Sequence, residues 1–227
     1  MKHNFSSLEP DDIEVVEKSQ SLSATDAYID FLFPKLLAGE NIALFRKRNK
    51  NNLYTEFFEN KEHLKRVLNN GLRDCDTYIS LSTCVAVNGK LTKSAENMKR
   101  RNCLGFDFDK KDFKGKVDSI YEFTEHFKKS TGLFIHYAVD SGHGYHFYIG
   151  IEETTNIAKV HTITRRYAVL CGADLGNISE AQSLRLPNTL NHKDKNFPLS
   201  VNIVSVYTNN DKFRRYTLCY TANYSIL

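Results

Sequence analysis

Apolar and polar positions change their spacing near residue 41, and the elements they predict change with them. Before that point the pattern is helical. Pro10-Asp11-Asp12 opens a short acidic helix running to about Lys18, and Ser23-Ala24-Thr25-Asp26 caps a second helix that runs towards Leu37, interrupted near Pro34. From Asn41 onward strands and helices alternate. Residues 42–46 read as a strand and 61–72 as a helix. Residues 77–87, rich in β-branched side chains, read as a strand, and so do 104–109. Residues 117–129 carry apolar side chains at helical spacing. A hairpin about Asp140–Gly144 joins strands at 133–139 and 145–151; residues 156–170 are helical, and 199–207 form a late strand. The expectation is an α/β or α+β domain with mixed or antiparallel pairing, spanning 41–227 behind a helical segment of residues 1–40. That segment is expected to close over a site, contact a partner or shield a sheet edge. Residues 215–227 stay apolar, which predicts either a last element docked on the core or a domain cut from a longer protein.

The chain has 227 residues, one domain or one domain with an appendage on a prior of about 150 residues per domain. Hydrophobic residues make up 41% and charged residues 26%, which excludes a disordered chain, a collagen and a coiled coil. No apolar run approaches the roughly 18 residues of a membrane helix, and the N-terminus lacks an apolar signal stretch, so no membrane partner and a cytoplasmic location, that of a bacterial or phage host, are expected. The 31 basic and 27 acidic residues leave +4, too small an excess to specify nucleic acid by itself. Five cysteines, odd in number and without a CxxC pair, predict reduced buried thiols and neither a disulfide framework nor a zinc knuckle.

Candidate chemistry concentrates in three places. In Leu104-Gly105-Phe106-Asp107-Phe108-Asp109, period-two alternation puts Leu104, Phe106 and Phe108 on one face and Gly105, Asp107 and Asp109 on the other. Aspartates two apart on a strand stand roughly 7 Å apart at Cα, so both carboxylates can converge on one divalent cation, and oxygen-only ligands favour magnesium or manganese. The plainer alternative is two solvated aspartates on an edge, although Asp is disfavoured in strands. In Asp140-Ser141-Gly142-His143-Gly144-Tyr145-His146, two glycines let backbone N–H groups approach phosphate oxygens, and His146 leaves the apolar side of its strand. A plain hairpin with a surface histidine is the alternative. Around Pro187-Asn188, Arg185 offers a planar fork for phosphate and Lys193 a compact charge, against the reading of a basic surface loop. Upstream, Asp174 is either a third carboxylate or a helix-terminal loop residue, with Glu180 its rival.

In this order the motifs resemble the archaeo-eukaryotic primase superfamily, above all its primase-polymerase branch from plasmid, phage and mobile-element replication proteins. The resemblance covers residues 41–207. Asp107 and Asp109 match the family's DxD or DxE motif, Ser141 and His146 its serine–histidine hairpin, and Asp174 fits its last acid. Arg185, Pro187, Asn191 and Lys193 match the Arg-x-Pro-Gly-x-x-Asn-x-Lys run that often follows, with Asn188 in place of glycine; His143 stands where glycine is frequent. Asparagine tolerates the left-handed backbone that glycine permits.

The resemblance implies a template-dependent nucleotidyltransferase. Asp107, Asp109 and Asp174 would hold Mg2+ or Mn2+. Ser141, Gly142 and His146 would grip the triphosphate, and Arg185 and Lys193 would add positive charge. Nucleoside triphosphates and a single-stranded DNA template are the implied partners, with a fused or separate helicase left open. A basic, partly aromatic groove for the template is expected from Arg46, Arg48 and their neighbours and from Lys99, Arg100 and Arg101, read against solvated charge runs. Two other classes compete: a DNA-binding replication-initiator module with a vestigial site, and a metal-dependent nuclease. A relaxase-type nuclease usually needs a His-hydrophobic-His pair, and no His-x-His occurs here.

Overall fold

The computed structural model describes residues 22–49, 52–113, 120–206 and 215–218. The acidic helix expected at 10–18 lies outside them. The helix α1 (Leu22–Leu32) stops short of Leu37, because the residue before Pro34 is sterically pushed out of the helical region. The strand β1 (Ile42–Asn49) runs past its expected end and pairs with β2 (Asn52–Phe58), which the pattern did not predict. β2 is an edge strand whose burial does not alternate, so it carries no period-two signal. The helix α2 (Lys61–Asn69) is capped by Asn60, whose side-chain oxygen accepts from the N–H groups of Glu62 and His63. It ends before residue 72, at Asn70 and the left-handed Gly71.

The expected strand at 77–87 is two strands in two sheets. β3 (Asp76–Ser80) joins β1 and β4 (Ser82–Cys84) joins β5 (Met98–Asp109), which starts six residues before the expected Leu104. The helix α3 (Ile120–Thr131) follows, its expected start at 117 lying outside the described residues. The hairpin strands are β6 (Tyr137–Asp140), shorter than expected, and β7 (Gly144–Thr154). The helix α4 (Ile157–Cys171), capped by Asn156 and by left-handed Gly172, matches its expected span to within a residue at each end. Then come β8 (Ser183–Arg185), β9 (Thr189–Asn191) and β10 (Leu199–Val206).

All named strand pairs are antiparallel. The smaller sheet runs β2-β1-β3-β8 and the larger β4-β5-β7-β6-β10-β9. One face of the larger sheet, with Leu104, Phe106, Phe108, Phe147 and Ile149, is covered by α3 and α4 through Phe123, Phe127, Val160 and Ala168. Its other face, with Cys103, Val139 and Tyr148, packs on Leu44, Ile79 and Leu184 of the smaller sheet and on Tyr28, Ile29 and Leu32 of α1. The protein is an α+β fold of two antiparallel sheets with helices on the outer face of the larger one. Cys75, Cys84, Cys103 and Cys171 are free buried thiols. No helix among the described residues is long and apolar enough to cross a membrane.

Part of the apolar C-terminal stretch docks on this core. Tyr216 forms a parallel bridge with Ile151, and Arg215 donates to the carbonyls of Asn102, Ile151 and Phe31. Beneath it His136, 3% exposed, stacks on Phe31 and accepts at Nδ1 from the Gly150 N–H. Burial, assisted by the Arg215 charge, pushes its pKa down to about 4. The unfolded chain takes up this proton below about pH 6.5, the folded chain only near 4. Stability from this site is therefore complete above pH 6.5 and is lost as pH falls towards 4. Urea unfolding at pH 7 and pH 4.5 should show a loss about 2–3 kcal/mol smaller in His136→Gln than in the parent chain. Equal losses would contradict the buried neutral histidine.

Candidate active site

β5 presents its carboxylates because its aromatic residues are claimed by the opposite side. Phe106 packs on Phe127 with centroids 5.4 Å apart, and Phe108 on Phe123 at 4.6 Å. Gly105, Asp107 and Asp109 therefore share the other face, as the alternation predicts. The register with β7 sets Asp107 opposite His146 and Asp109 opposite Gly144. Gly105 leaves no free space, since a Cβ there would collide with Leu81 Cδ1.

The loop after α4 brings Asp174 to the same place. Its N–H donates to the Asp107 carbonyl at 2.8 Å. Asn177 then spans the two side chains: its Nδ2 donates to Asp107 Oδ2 at 2.6 Å and to Asp174 Oδ2 at 3.1 Å. The two carboxylates converge on one small donor. Asp109 is drawn elsewhere, to Lys111 Nζ at 2.8 Å. That ammonium holds the Asp109 carboxyl below its ordinary range, with Lys193 and His143 acting in the same direction. Among the described residues no group of three or more His, Cys, Asp or Glu side chains stands close enough to hold a metal ion.

His146 is 3% exposed, with Nε2 3.5 Å from Asp107 Oδ1. Its Nδ1 is buried without a hydrogen-bond partner. Burial lowers its pKa against the pull of Asp107, and the Arg185 charge adds to the lowering, so the imidazole is neutral at neutral pH. His146 leaves the apolar side of β7, as expected, but lies beneath Asp107 and not on the surface.

The glycines of the β6–β7 turn answer to the fold. Gly142 has φ 89°, and a Cβ on it would lie 2.7 Å from Leu199 Cβ; a Cβ on Gly144 would strike the Phe108 carbonyl. The turn is held by Asp140, which accepts from the Gly142 N–H at 2.8 Å and from Lys110 Nζ at 3.0 Å. Ser141 is buried, and its carbonyl accepts from Asn191 Nδ2 at 2.6 Å. The expected irregular basic loop is two short strands, β8 and β9, around Pro187. Asn188 takes φ 62°, the left-handed conformation anticipated for a residue in a glycine's place. Arg185 donates to Asp76 Oδ1 at 2.6 Å and lies 4.7 Å over the Tyr78 ring. Lys193 is exposed near Asp109, whose carboxyl feels its charge.

The expected basic groove needs correction. Arg100 and Arg101 are 2% and 1% exposed. Arg100 is paired with Glu40 and with Glu153, and Arg101 donates to the Cys103 carbonyl and to Gln182 Oε1. Buried and compensated, neither can meet DNA; Lys99 alone of the three is exposed. Arg46 is also buried, between Glu56 and Asp74; Arg48 is exposed and paired with the same Asp74. Sequence reasoning missed Asn177 and also Asp76, which takes both Arg185 Nη1 and the His192 N–H. Asn177 lies three residues after Asp174 in a loop, where no periodicity marks it.

No protein-family model matches the chain, and no curated protein is significantly similar in sequence. Solved structures are similar. The archaeo-eukaryotic primase domain of the cyanophage S-2L primase-polymerase aligns at TM-score 0.55 and 13% identity, covering 81% of this chain and 90% of that one. The primase RepB' aligns at 0.49 and 13%, covering 82% and 57%. Its catalytic domain in complex with initiator DNA aligns at 0.48 and 15%, covering 82% and 86%. The two antiparallel sheets and their helices thus have the fold of that cyanophage primase-polymerase domain.

Proposed function

We propose that the protein is a template-dependent nucleotidyltransferase that makes or extends primers on single-stranded DNA in the replication of a mobile element, phage or plasmid. The observation that carries this reading is the convergence of the Asp107 and Asp174 carboxylates on one amide donor, beside a buried histidine with an unpartnered nitrogen. The likeness in fold to a primase-polymerase domain supports it.

Two carboxylate oxygens aimed at one point fit magnesium or manganese, which are held by one or two carboxylates and by substrate phosphates. Asp107 and Asp174 would hold the ion, replacing the Asn177 amide, while Asp109 starts from its pair with Lys111. When bound, the ion lowers the pKa of the attacking hydroxyl and neutralises triphosphate charge. In the reaction a 3′-hydroxyl oxygen bonds to the α-phosphorus and gives its proton to water, the bond to the bridging oxygen breaks, and pyrophosphate leaves. The residues position charge for this transfer and form no covalent bond. His146, whose Nδ1 is buried, would turn its single N–H to a triphosphate oxygen once Asp107 leaves Nε2 for the ion. Arg185, fixed by Asp76 and Tyr78, keeps its fork in one orientation, and Lys193 supplies charge at the Asp109 side. Ser141 and Gly142 of the β6–β7 turn would contribute to the grip on the triphosphate.

A second reading, a DNA-binding initiator module without catalysis, is favoured by Asn177 and Lys111 occupying the carboxylates. Incubation with single-stranded DNA, labelled nucleoside triphosphates and manganese or magnesium, resolved on a sequencing gel, separates the two. Extension products are expected, and Asp107→Ala should reduce them at least about a hundredfold in a chain that still folds, its Tm lower by no more than about 2–4 °C through the lost Asn177 bond. DNA binding without any product would leave the initiator module. His146→Ala should raise the triphosphate KM about tenfold or more, the worth of a hydrogen bond to a charged group, without weakening DNA binding. Loss of DNA binding alone would place His146 on the template. Asn177→Ala should lower Tm in EDTA by about 2–4 °C, because two carboxylates lose their shared donor, and enlarge the rise in Tm on adding manganese. A smaller manganese response would show that Asn177 helps to hold the ion.

A further inference from the structure

The smaller sheet has one face in the core and one whose residues are mostly half-buried. On the second face Thr55, Phe45, Tyr78 and Arg185 stand directly opposite one another across β2, β1, β3 and β8. They form a single cross-strand row. Phe45 and Tyr78 have ring centroids 5.9 Å apart, and the Arg185 guanidinium lies 4.7 Å over Tyr78. Lys93 reaches over from the loop before β5, its Nζ 5.3 Å above the Phe45 ring. Lys47 points to this face too, two residues along β1 from Phe45. The Ala43 end of the face is covered by Leu91 and Met98, whereas Phe45, Lys47, Tyr78, Arg185 and Lys93 are half-buried.

Two features of this row ask for an anionic, ring-bearing occupant. Neither Lys47 nor Lys93 forms an ion pair among the described residues; Asp76, directly opposite Lys47, is taken by Arg185 and the His192 N–H. Burial pushes the Lys93 pKa down, so its ammonium gains from any anion brought beside it. A row of aromatic faces interleaved with cations suits a strand whose bases stack and whose phosphates pair, whatever its sequence. The row also leads to the carboxylates. The Asp107 charge acts on the Tyr78 hydroxyl, and the Arg185 charge acts on His146.

We infer that the face carrying Phe45, Tyr78, Lys47 and Lys93 is the track along which single-stranded DNA, the template, enters the active site, with bases packed on the Arg185–Tyr78 stack and on the Phe45 ring, Lys93 swinging off that ring to one phosphate and Lys47 taking another. The template's role rests on the nucleotidyltransferase reading; the binding itself does not. It also relocates the basic groove, since strand alternation turns Lys47 to this face while Arg46 and Arg48 turn to the other, towards Asp74.

The test is fluorescence anisotropy of a labelled oligothymidine with the full chain in EDTA and without nucleotide, so that neither metal nor catalysis enters. Phe45→Ala should weaken binding about fivefold or more, the smallest effect expected of one lost stacked base. Lys47→Gln/Lys93→Gln, which leaves the sheet's packing intact, should flatten the dependence of log affinity on log salt by about 1.4, roughly 0.7 for each lost phosphate contact. Phe45→Leu, which preserves apolar packing, should fall in between. Affinities within twofold of the parent chain in all three variants, with an unchanged salt slope, would overturn the inference. So would an unchanged oligonucleotide affinity with a raised triphosphate KM, which would give this face to the incoming nucleotide. Failure of the catalytic reading looks different: no extension by the parent chain, with DNA binding still sensitive to these variants.

Discussion

The register of β5 against β7 is the constraint on which the rest depends. Phe106, Phe108 and Phe147 are locked into one aromatic cluster with Phe123 and Phe127, and removing a ring from such a core costs about 3–5 kcal/mol. A slip of one residue would turn those rings towards the other layer and drive Asp107 and Asp109 under the helices, where unpaired carboxylates are prohibitively costly. Packing on one face thus fixes chemistry on the other. The same pairing puts His146 against Asp107 and forces glycine at 144, where the Phe108 carbonyl leaves no room for a Cβ.

The second sheet closes the arrangement through one buried amide. Gln182 donates to the Gly105 carbonyl, accepts from Arg101 at its side-chain oxygen and takes the Leu81 N–H on its carbonyl. It ties the strand bearing the aspartates to the point where the chain crosses from one sheet to the other, between β3 and β4. Arg101 is therefore part of the joint between the layers. Asp76 does the equivalent work at the mouth, holding Arg185 and the start of the Lys193 loop with one carboxylate oxygen.

How much of this could be read from residues alone follows from where each signal is stored. β5 was legible from the alternation of its aromatic and acidic residues, the hairpin from the glycine turn between two apolar runs, and α4 because it is a long run with one buried face. The strand β2 was not, because an edge strand buried on neither face alternately leaves no pattern. The strands β8 and β9, three residues each, are too short to show a period and exist only because β3 and β10 pair with them. The opposite error came from charge. Consecutive arginines read as a groove, yet Arg100 is neutralised by Glu40, sixty residues away in sequence, and pairing at that range is invisible until the fold is known. The Asp107–Asp174 proximity was reached only through the family resemblance, and Asn177, which joins them, has no motif to announce it.

In the proposed reaction β5 and the loop after α4 would deliver two carboxylates to one cation and one triphosphate. Calorimetric titration with a non-hydrolysable nucleoside triphosphate, in manganese and in EDTA, tests it most directly. Binding that requires manganese in the parent chain and disappears in Asp107→Ala/Asp174→Ala is the predicted result. Triphosphate binding that ignores both the metal and the two aspartates, or no binding at all, would contradict it.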